Sequence, residues 1–405
     1  MEVKAGYKQT EVGVIPDQWD VKPLGDVADF LDGRRRPVKD SERAKMQGDI
    51  PYYGASGVVD YVNDHLFDED LILLGEDGEN ILSRNCRLAF KISGKTWVNN
   101  HAHVLRPKAG MALDYLVEFL ESRDYAQFNT GTAQPKLNKQ VCSGIAVLCP
   151  PLPEQRAIAT TLSDVDALLD GLTRLIAKKR DLKQATMQQL LTGQTRLPGF
   201  DGAWEEKCLG ELGEITGAGV DKKIRSNEIP VRLLNYMDVY KRDFLKANDF
   251  WHEVTAKPDQ ARRCAVQRGD IFFTPTSEIR EDIGHSAVAI EDAPDVVYSY
   301  HVVRLRLSKE WDVNFRAYVF KTKHFLDQAS TQSEGSGTRY VITLPKFRSM
   351  TVRYPTDVAE QAAIGNILSD MDAELAALEA RLTKTRALKQ AMMSELLTGK
   401  TRLPT

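Results

Sequence analysis

The feature that most constrains the fold of this chain is an internal repeat. Residues 154–198 align without gaps on residues 360–404, and 26 of the 45 aligned residues are identical. Identity is highest at the end of the repeat, where LLTGQTRLP in the first copy corresponds to LLTGKTRLP in the second. A repeat of this length predicts two copies of one structural unit and therefore an approximate internal twofold symmetry.

Each copy of the repeat has the apolar spacing of a long helix. Apolar residues recur alternately four and three positions apart, which is typical of a coiled-coil seam, and Gly193 and Gly399 follow the pattern where a helix C-cap belongs. We therefore predict one helix of about 39 residues, about 58 Å long, in each copy. The seam residues expected to pair are Ile158, Leu162, Val165, Leu169 and Leu172 in the first copy and Ile364, Leu368, Met371, Leu375 and Leu378 in the second.

The seam has two interpretations. A single amphipathic helix normally packs on its own domain. Two nearly identical helices in one chain are natural partners, and antiparallel pairing is the arrangement that an internal twofold axis produces. We favour the antiparallel coiled coil, and we expect each copy of the helix to bind the same partner.

Two segments of unlike sequence alternate with the repeats. Their short apolar runs, separated by glycine-containing turns, predict mixed α/β structure with many short strands. The fold class is therefore α+β, with two mixed α/β domains separated by two long paired helices. The predicted boundaries are 1–150 for the first domain, 151–198 for the first helix region, 199–355 for the second domain and 356–405 for the second helix region. The two domains share three short anchors in the same order: Trp19-x4-Leu24-Gly25 with Trp204-x4-Leu209-Gly210, Asp70 to Leu73 with Asp270 to Phe273, and His103 to Arg106 with His301 to Arg304.

Composition sets limits but does not indicate chemistry. The 405 residues suffice for two to four compact units, and the net charge of −3 neither supports nor excludes nucleic-acid binding. The five cysteines are scattered and never spaced C-x2-C, which argues against a disulfide framework or a zinc site. No apolar stretch approaches the length of a membrane span, so we expect a cytoplasmic protein.

Polar and basic loops follow corresponding strands in the two domains. Arg and Lys can bind phosphates or read guanine, whereas Gln and Asn can read adenine. Each loop alone could be an ordinary solvated turn, but a basic loop follows the first strand in each domain and a Gly-Thr loop precedes each long helix. The candidate DNA contacts are Arg34, Arg35, Arg36, Gln134, Lys136 and Asn138 in the first domain and Lys222, Lys223, Arg225, Thr276, Arg280 and Arg339 in the second.

No motif predicts catalysis. An adenine methyltransferase needs an Asn/Asp-Pro-Pro-Tyr/Phe tetrapeptide, and Pro150-Pro151-Leu152-Pro153 has neither the amide nor the aromatic residue. Gly94-Lys95-Thr96 is similar to the end of a P-loop, but Ala89 stands where the first glycine should be. His101 and His103 could be metal ligands, although a histidine in a strand more often packs or binds a backbone group. We predict no catalytic residues, no metal and no cofactor.

The layout resembles the specificity subunit of type I restriction–modification systems. The segment Tyr7–Pro16, the segment Pro150–Gln155, the tetrapeptide Leu190–Gly193 and the segment Thr195–Phe200 are similar to that family's opening and conserved regions. The resemblance covers the whole chain, although Pro355–Gln361 departs from the Pro-Pro-Leu-Pro form of the first copy.

This resemblance implies that residues 1–150 and 199–355 are target-recognition domains, each reading one half of a split, asymmetric site in double-stranded DNA. The paired helices would fix the spacer and bind two adenine-N6 methyltransferase subunits. S-adenosylmethionine, ATP and Mg²⁺ would be bound only by the methyltransferase and the restriction (translocase–nuclease) subunits.

Physical reasoning agrees with this division of labour. Half-sites on one face of B-DNA lie about 34 Å apart, which a helix pair of the predicted length can span. Because the two domains differ widely in sequence, their half-sites should differ too. The alternative is a non-catalytic coiled-coil scaffold protein without DNA specificity. Sequence-specific DNA binding in the presence of a methyltransferase subunit distinguishes the two.

Overall fold

The computed structural model describes residues 4–131, 134–336 and 339–404. The chain divides into two compact units. Unit 1 comprises Met1–Thr173 and Ala380–Thr405, and unit 2 comprises Arg174–Glu379. Each long helix therefore contributes residues to both units.

Unit 1 contains the first variable domain. Its sheets have the strand orders β1-β2, β6-β5-β10-β7, β4-β11-β8-β9 and β12-β3. The strands are β1 (Tyr7–Thr10), β2 (Gly13–Pro16), β3 (Asp20–Pro23), β4 (Ala28–Phe30), β5 (Gln47–Gly54), β6 (Gly57–Val62), β7 (Phe67–Asp68), β8 (Leu71–Gly75), β9 (Ala89–Ile92), β10 (Lys95–Val98), β11 (Ala102–Pro107) and β12 (Ala146–Cys149). The helices are α1 (Leu24–Val27), α2 (Asp40–Arg43), α3 (Asn80–Ser83), α4 (Leu113–Glu121), α5 (Lys139–Ser143) and the first part of α6 (Leu152–Leu190).

Unit 2 contains the second variable domain. Its sheets have the orders β13-β26, β14-β23-β19-β21-β16, β17-β15-β22-β18 and β20-β25-β24. The strands are β13 (Trp204–Cys208), β14 (Gly213–Thr216), β15 (Ile229–Leu234), β16 (Phe244–Leu245), β17 (Glu253–Ala256), β18 (Ala265–Val266), β19 (Ile271–Phe273), β20 (Thr276–Ser277), β21 (Ser286–Ala289), β22 (Ala293–Tyr298), β23 (Val303–Leu307), β24 (Glu334–Ser336), β25 (Arg339–Val341) and β26 (Thr351–Pro355). The helices are α7 (Leu209–Leu212), α8 (Tyr236–Lys241), α9 (Pro258–Cys264), α10 (Val313–Val319), α11 (Lys323–Gln332), α12 (Leu344–Ser349) and the first part of α13 (Val358–Leu396).

Buried strands form the centre of both domains. Strand β8 lies between β11 and β9 and is buried at every residue, because Ile72 and Leu74 pack in one hydrophobic cluster and Leu71 and Leu73 in another. Covering of both faces explains its continuous apolar sequence. Strand β19 is likewise buried throughout between β23 and β21. The sequences of residues 113–125 and 315–325 predict one short helix each, but α4 ends at Glu121 and the second region divides into α10 and α11.

The two long helices have the predicted length, and both contain 39 residues. In unit 2 they run antiparallel, because Lys179 lies 2.7 Å from Glu374 while Lys183, one turn later, pairs with Asp372. In unit 1 the corresponding pair joins Lys389 to Asp166 at 2.7 Å. The two long helices therefore pair as an antiparallel coiled coil, as predicted.

The predicted seam residues have two roles. Ile158 and Leu162 belong to the hydrophobic core of unit 1, and Ile364 and Leu368 belong to that of unit 2. Each long helix thus packs on a variable domain over its first turns, so both interpretations of the seam hold. Further along, Leu172 and Leu375 are buried, whereas Val165, Leu169, Met371 and Leu378 are half-buried.

A buried carboxylate explains why the end of the repeat is so similar in the two copies. In unit 1 the Arg402 guanidinium donates to both oxygens of Glu154 at 2.6 and 2.8 Å, and the Trp19 indole N–H donates to Glu154 at 3.0 Å. In unit 2 Arg196 binds Glu360 with the same two distances. Both carboxylates are 1% exposed, so each needs its arginine to remain ionised.

The glycine of the repeat is required by its conformation and by a close approach. Gly193 and Gly399 have φ of +70° and +72°, a left-handed conformation that strains other residues. A Cβ on Gly399 would also lie 2.5 Å from Pro16 and 3.2 Å from the Trp19 ring. The leucines, glycine and arginine of the repeat therefore form one joint between a long helix and a variable domain.

The strand register corrects two of the sequence anchors. Strand β4 pairs Asp29 with Arg106, and strand β14 pairs Glu214 with Arg306. Asp29 and Glu214 follow the matched Trp-x4-Leu-Gly anchors at the same distance. Measured from the Trp-x4-Leu-Gly anchors, Arg106 therefore corresponds to Arg306 and not to Arg304. The same register matches Ile72 with Ile271, so the Asp70–Asp270 anchor is shifted by one residue.

The same register shifts the histidines. In the alignment of the two domains, this register matches His103 with Val303 and His101 with His301. The alignment of His103 with His301 was wrong because a match of three residues cannot determine the register of strongly diverged strands. Main-chain pairing determines it instead, since a shifted strand would expose its apolar face.

Candidate nucleic-acid interface

The predicted loops of unit 2 come together around a small sheet. Thr276 in β20 pairs with Val341 in β25, and Ser336 in β24 pairs with Arg339 in β25. The loop after β19 and the Gly-Thr loop before the long helix are therefore hydrogen-bonded to each other. Gly337 and Thr338, which lie between β24 and β25 in the sequence, are outside the described residues.

The first basic loop of unit 2 lies beside this sheet. Val220 forms a parallel bridge with Ser299, just before His301. Burial and the positive charges of Lys222 and Arg339 lower the pKa of His301. Lys222 and Arg339 therefore act electrostatically on the His301 ring, and the lowered pKa favours the neutral form of this ring.

A cleft of about 590 Å³ opens beside these groups. Two tyrosines of α8, Tyr236 and Tyr240, stack with their ring centroids 6.0 Å apart, and Tyr240 donates a hydrogen bond to Asp282. The cleft is lined by Tyr236, Met237, Tyr240, Thr276, Ser277, Glu278, Ile279, Asp282, His301 and Arg339. Sequence reasoning missed the tyrosines and His301, although the i, i+4 spacing of the tyrosines was a usable signal.

The remaining predicted contacts of unit 2 differ in their availability. Lys222 and Lys223 have exposed side chains. The Arg225 guanidinium binds Asp221 at 2.7 Å and lies 3.4 Å from Glu228, so two carboxylates offset its charge. Arg280 lies over the Tyr340 ring at 5.0 Å, which places it beside the β20-β25-β24 sheet.

Unit 1 brings its corresponding loops together in the same way. Asp77 forms an antiparallel bridge with Lys136, and the Leu137 N–H donates to the Glu76 carbonyl at 2.7 Å. The loop after β8 therefore pairs with the Gly-Thr loop, as the loop after β19 does in unit 2. Thr132 and Ala133 within that loop lie outside the described residues.

The three predicted arginines of unit 1 have different surroundings. Arg34 is exposed and lies over the Phe67 ring at 4.5 Å, and Arg36 is also exposed. The Arg35 side chain is only 13% exposed, because its guanidinium binds Glu76 at 2.6 Å and the Ala102 carbonyl at 2.7 Å. The structure therefore gives Arg35 a role in holding the loop.

The other predicted contacts of unit 1 lie in the Gly-Thr loop. Gln134 is exposed, and Lys136 is half-exposed with its ammonium 3.4 Å from Glu76. The Asn138 side chain caps α5 by accepting a hydrogen bond from the Val141 N–H at 2.9 Å. Asn138 thus orients the loop relative to the following helix.

A buried ion pair connects the two loop regions of unit 1. The His103 ring is 1% exposed, with Nδ1 2.8 Å from the Asp32 carboxylate and Nε2 2.8 Å from the Leu137 carbonyl. A carbonyl only accepts, so Nε2 must donate to it, and Nδ1 donates to the carboxylate. Burial alone would lower the pKa of His103, but hydrogen bonds and charge interactions with Asp32 and Cys142 raise it to about 10. His103 makes the backbone hydrogen bond that the sequence predicted.

Two kinds of feature are absent from the part of the chain that the structure describes. No group of three or more His, Cys, Asp or Glu side chains there could hold a metal ion. None of its helices is long and apolar enough to cross a membrane.

Two mixed α/β domains that present unlike polar loops in corresponding places are the arrangement expected of a protein with two different binding surfaces. The sequence family described as "Type I restriction modification DNA specificity domain" matches residues 16–180 and again residues 202–386. The chain belongs to this family. It is a specificity subunit with a role in DNA recognition, and such subunits are non-catalytic and assemble with the other subunits of a restriction–modification system.

Similar proteins are consistent with this assignment. The type I restriction enzyme MjaVIII specificity subunit of Methanocaldococcus jannaschii is 23% identical, over 96% of this chain and 94% of the relative. A putative type I restriction enzyme specificity subunit of Haemophilus influenzae is 36% identical over 36% of this chain and 37% of its own length. The crystal structure of the type I system S subunit from M. genitalium shares the fold, with a TM-score of 0.58, 14% identity and 98% of each chain covered.

Proposed function

We propose that this subunit reads a bipartite, asymmetric DNA site, with residues 1–150 recognising one half and residues 199–355 the other. One observation carries the proposal: in each unit, the loop after the central strand pairs with the Gly-Thr loop beside a basic loop. The same scaffold thus presents recognition loops twice. Because a scaffold protein has no evident use for two such divergent loop sets, DNA reading explains them better.

The chemistry of the two loop sets supports unlike half-sites. Unit 1 presents Arg34, Arg36, Gln134 and Lys136 around a network that includes Glu76. Unit 2 presents Lys222, Lys223, Thr276, Arg280 and Arg339 around an aromatic cleft. Groups that read bases differ between the two sets, so the two half-sites should differ in sequence. In both units the loop lysines and arginines also supply phosphate contacts, which position the protein without specifying sequence.

The paired helices set the spacer and bind two adenine-N6 methyltransferase subunits in this proposal. Its support is the segment R-x-L-K-Q-A, which occurs at 180–185 and again at 386–391. Its leucines, Leu182 and Leu388, are 50% and 55% exposed. Because the repeat places the same exposed leucine on both helices, a partner subunit that contacts one leucine has an equivalent contact at the other. S-adenosylmethionine would be bound by the methyltransferase, and ATP and Mg²⁺ by restriction subunits.

The direct test is a base-resolution map of N6-methyladenine. DNA from cells that express this chain with its methyltransferase subunit is compared with DNA from cells that express the methyltransferase alone. We expect a split motif of two short, unlike half-sites across a fixed gap. A soluble, assembled complex that yields no motif would contradict the proposal and favour a scaffold role.

Arg339→Ala should impair recognition of one half-site without loosening methyltransferase binding. If the guanidinium contacts a guanine or a phosphate beside Lys222, its loss should weaken DNA binding about 10- to 100-fold. Fluorescence anisotropy with the mapped site measures binding, and size-exclusion chromatography measures assembly. Arg262→Ala is the control, because Arg262 is an exposed arginine of α9 outside the loops. Equal loss of binding and assembly would mean that Arg339 is structural.

A further inference from the structure

We propose that Asp32 and His103 form a positioning device for DNA recognition by unit 1, in which a buried imidazolium holds the two recognition loops in register. This inference rests on the proposed function, because it assigns a role to the loops that we expect to read the first half-site. Asp32 and His103 would not touch DNA.

The hydrogen bonds of the pair define its mechanical role. Asp32 begins the turn that contains Arg34, and its second carboxylate oxygen accepts from the Val104 N–H at 3.0 Å. On the other side of the ring, the Leu137 carbonyl belongs to the loop that contains Gln134 and Lys136. One buried ring in β11 therefore joins both loops, and it needs two N–H groups to do so.

The charged groups around the ring favour the protonated form. Glu76 lies 3.8 Å from Nδ1 and also binds Arg35 and Lys136. Asp32 lies 3.6 Å from Arg35, and Cys142 interacts with the ring. The carboxylates of Asp32 and Glu76 thus face the cations of His103, Arg35 and Lys136, so that a buried charge network links the two loops.

Unit 2 lacks this network at the corresponding positions. The strand register places Val303 where unit 1 has His103, and the Trp-x4-Leu-Gly anchors place Gly217 where unit 1 has Asp32. A Cβ on Gly217 would lie 3.7 Å from both Val303 and Leu344, so this part of unit 2 is apolar. Unit 2 is therefore an internal control: recognition by unit 1 should depend on the protonated histidine, and recognition by unit 2 should not.

The direction in which pH changes the stability of this ion pair follows from the difference between the folded and the ordinary pKa of His103. The pKa of His103 in the folded chain, about 10, is above the ordinary value of 6.5. The stabilisation by the pair is therefore complete below pH 6.5 and is lost as the pH rises through 10. Loop order in unit 1, and with it recognition of the first half-site, should follow the same course.

The binding experiment uses the complex of the full chain with its methyltransferase subunit. Two duplexes are derived from the mapped site, one with only the unit 1 half-site intact and one with only the unit 2 half-site intact. At pH 7.5 we expect His103→Gln to weaken binding of the first duplex about tenfold, because a charged hydrogen bond is lost, and to leave the second within twofold. His65→Gln is the matched control, since His65 is a half-buried histidine of the same unit.

Two measurements on the unsubstituted chain keep the inference testable if His103→Gln fails to fold. Imidazole ¹⁵N shifts of the ¹⁵N-histidine-labelled full chain should show one ring doubly protonated at pH 8. Between pH 9 and 10.5, affinity for the first duplex should fall relative to the second.

A neutral ring at pH 8, or equal effects of His103→Gln on both duplexes, would overturn the inference. An absent methylation motif would instead overturn the proposed function, and the ¹⁵N shifts would be unaffected by that result.

Discussion

Replacing Arg402 by alanine should destabilise unit 1 by about 3 kcal/mol, because a buried carboxylate would lose its ion-pair partner. Glu154 is 1% exposed and binds the Arg402 guanidinium through both oxygens. The Trp19 indole N–H would still donate to the carboxylate, but it carries no positive charge. The same pair also joins the last residues of the chain to the first variable domain, so packing around Gly399 should loosen as well.

Hydrogen exchange measured by mass spectrometry can locate this effect, since a single unfolding midpoint is not defined for a chain with two units. We expect Arg402→Ala to reduce protection around Trp19 and Leu397 and to leave unit 2 unchanged. Arg196→Ala is the matched control, because it breaks the equivalent pair with Glu360 and should reduce protection in unit 2 alone. Adding Glu154→Gln to Arg402→Ala should restore part of the protection. Unchanged protection in Arg402→Ala would contradict the importance of the pair.

Charging the exposed leucine of each helix should remove one methyltransferase subunit at a time. If Leu182 and Leu388 are the centres of two equivalent contacts, then Leu182→Asp and Leu388→Asp should each yield a complex with one methyltransferase subunit. The double variant should yield none. Burial of a leucine contributes about 1.5–3 kcal/mol, and a buried unpaired carboxylate adds a further cost, so the loss of affinity should exceed 100-fold.

Native mass spectrometry counts the subunits directly. Arg174→Asp is the control, because Arg174 is exposed on the same helix but corresponds to alanine in the second copy. Leu375→Asp provides the contrast: Leu375 is buried in the helix seam, so a charge there should disrupt helix pairing and assembly together. If both single variants retain two methyltransferase subunits, the contact lies elsewhere on the helices.

The helices and the antiparallel pairing were predictable because they depend on local, periodic information. Apolar spacing, the glycine after each helix and the repeat itself are all visible in the sequence, and twofold symmetry leaves few ways to pair two such helices. The joint at Glu154 was visible only as identity between the copies. The ion pair and hydrogen bond at this joint could not be predicted from the sequence, because Arg402 and Trp19 are distant in sequence from the carboxylate that they bind.

The recognition site was predictable at the level of loops but not of individual residues. The chain showed basic and Gly-Thr loops in corresponding places, and the structure brings these loops together in each unit. It also gives Arg35 and Asn138 roles within the loops and adds the cleft formed by Tyr236 and Tyr240. The contacts themselves stay predictions.

The sequence by itself determined the architecture of repeated helices and alternating domains, and the family resemblance that the comparisons confirm. These properties reside in periodicity and in identity between copies, which need no knowledge of distant contacts. Only the tertiary structure decided the strand register, the convergence of the loops and the hydrogen-bond partners of His103. Each of these depends on contacts between main-chain and side-chain groups that are distant in the sequence. Because the two domains have diverged this far, no short sequence pattern predicts such contacts.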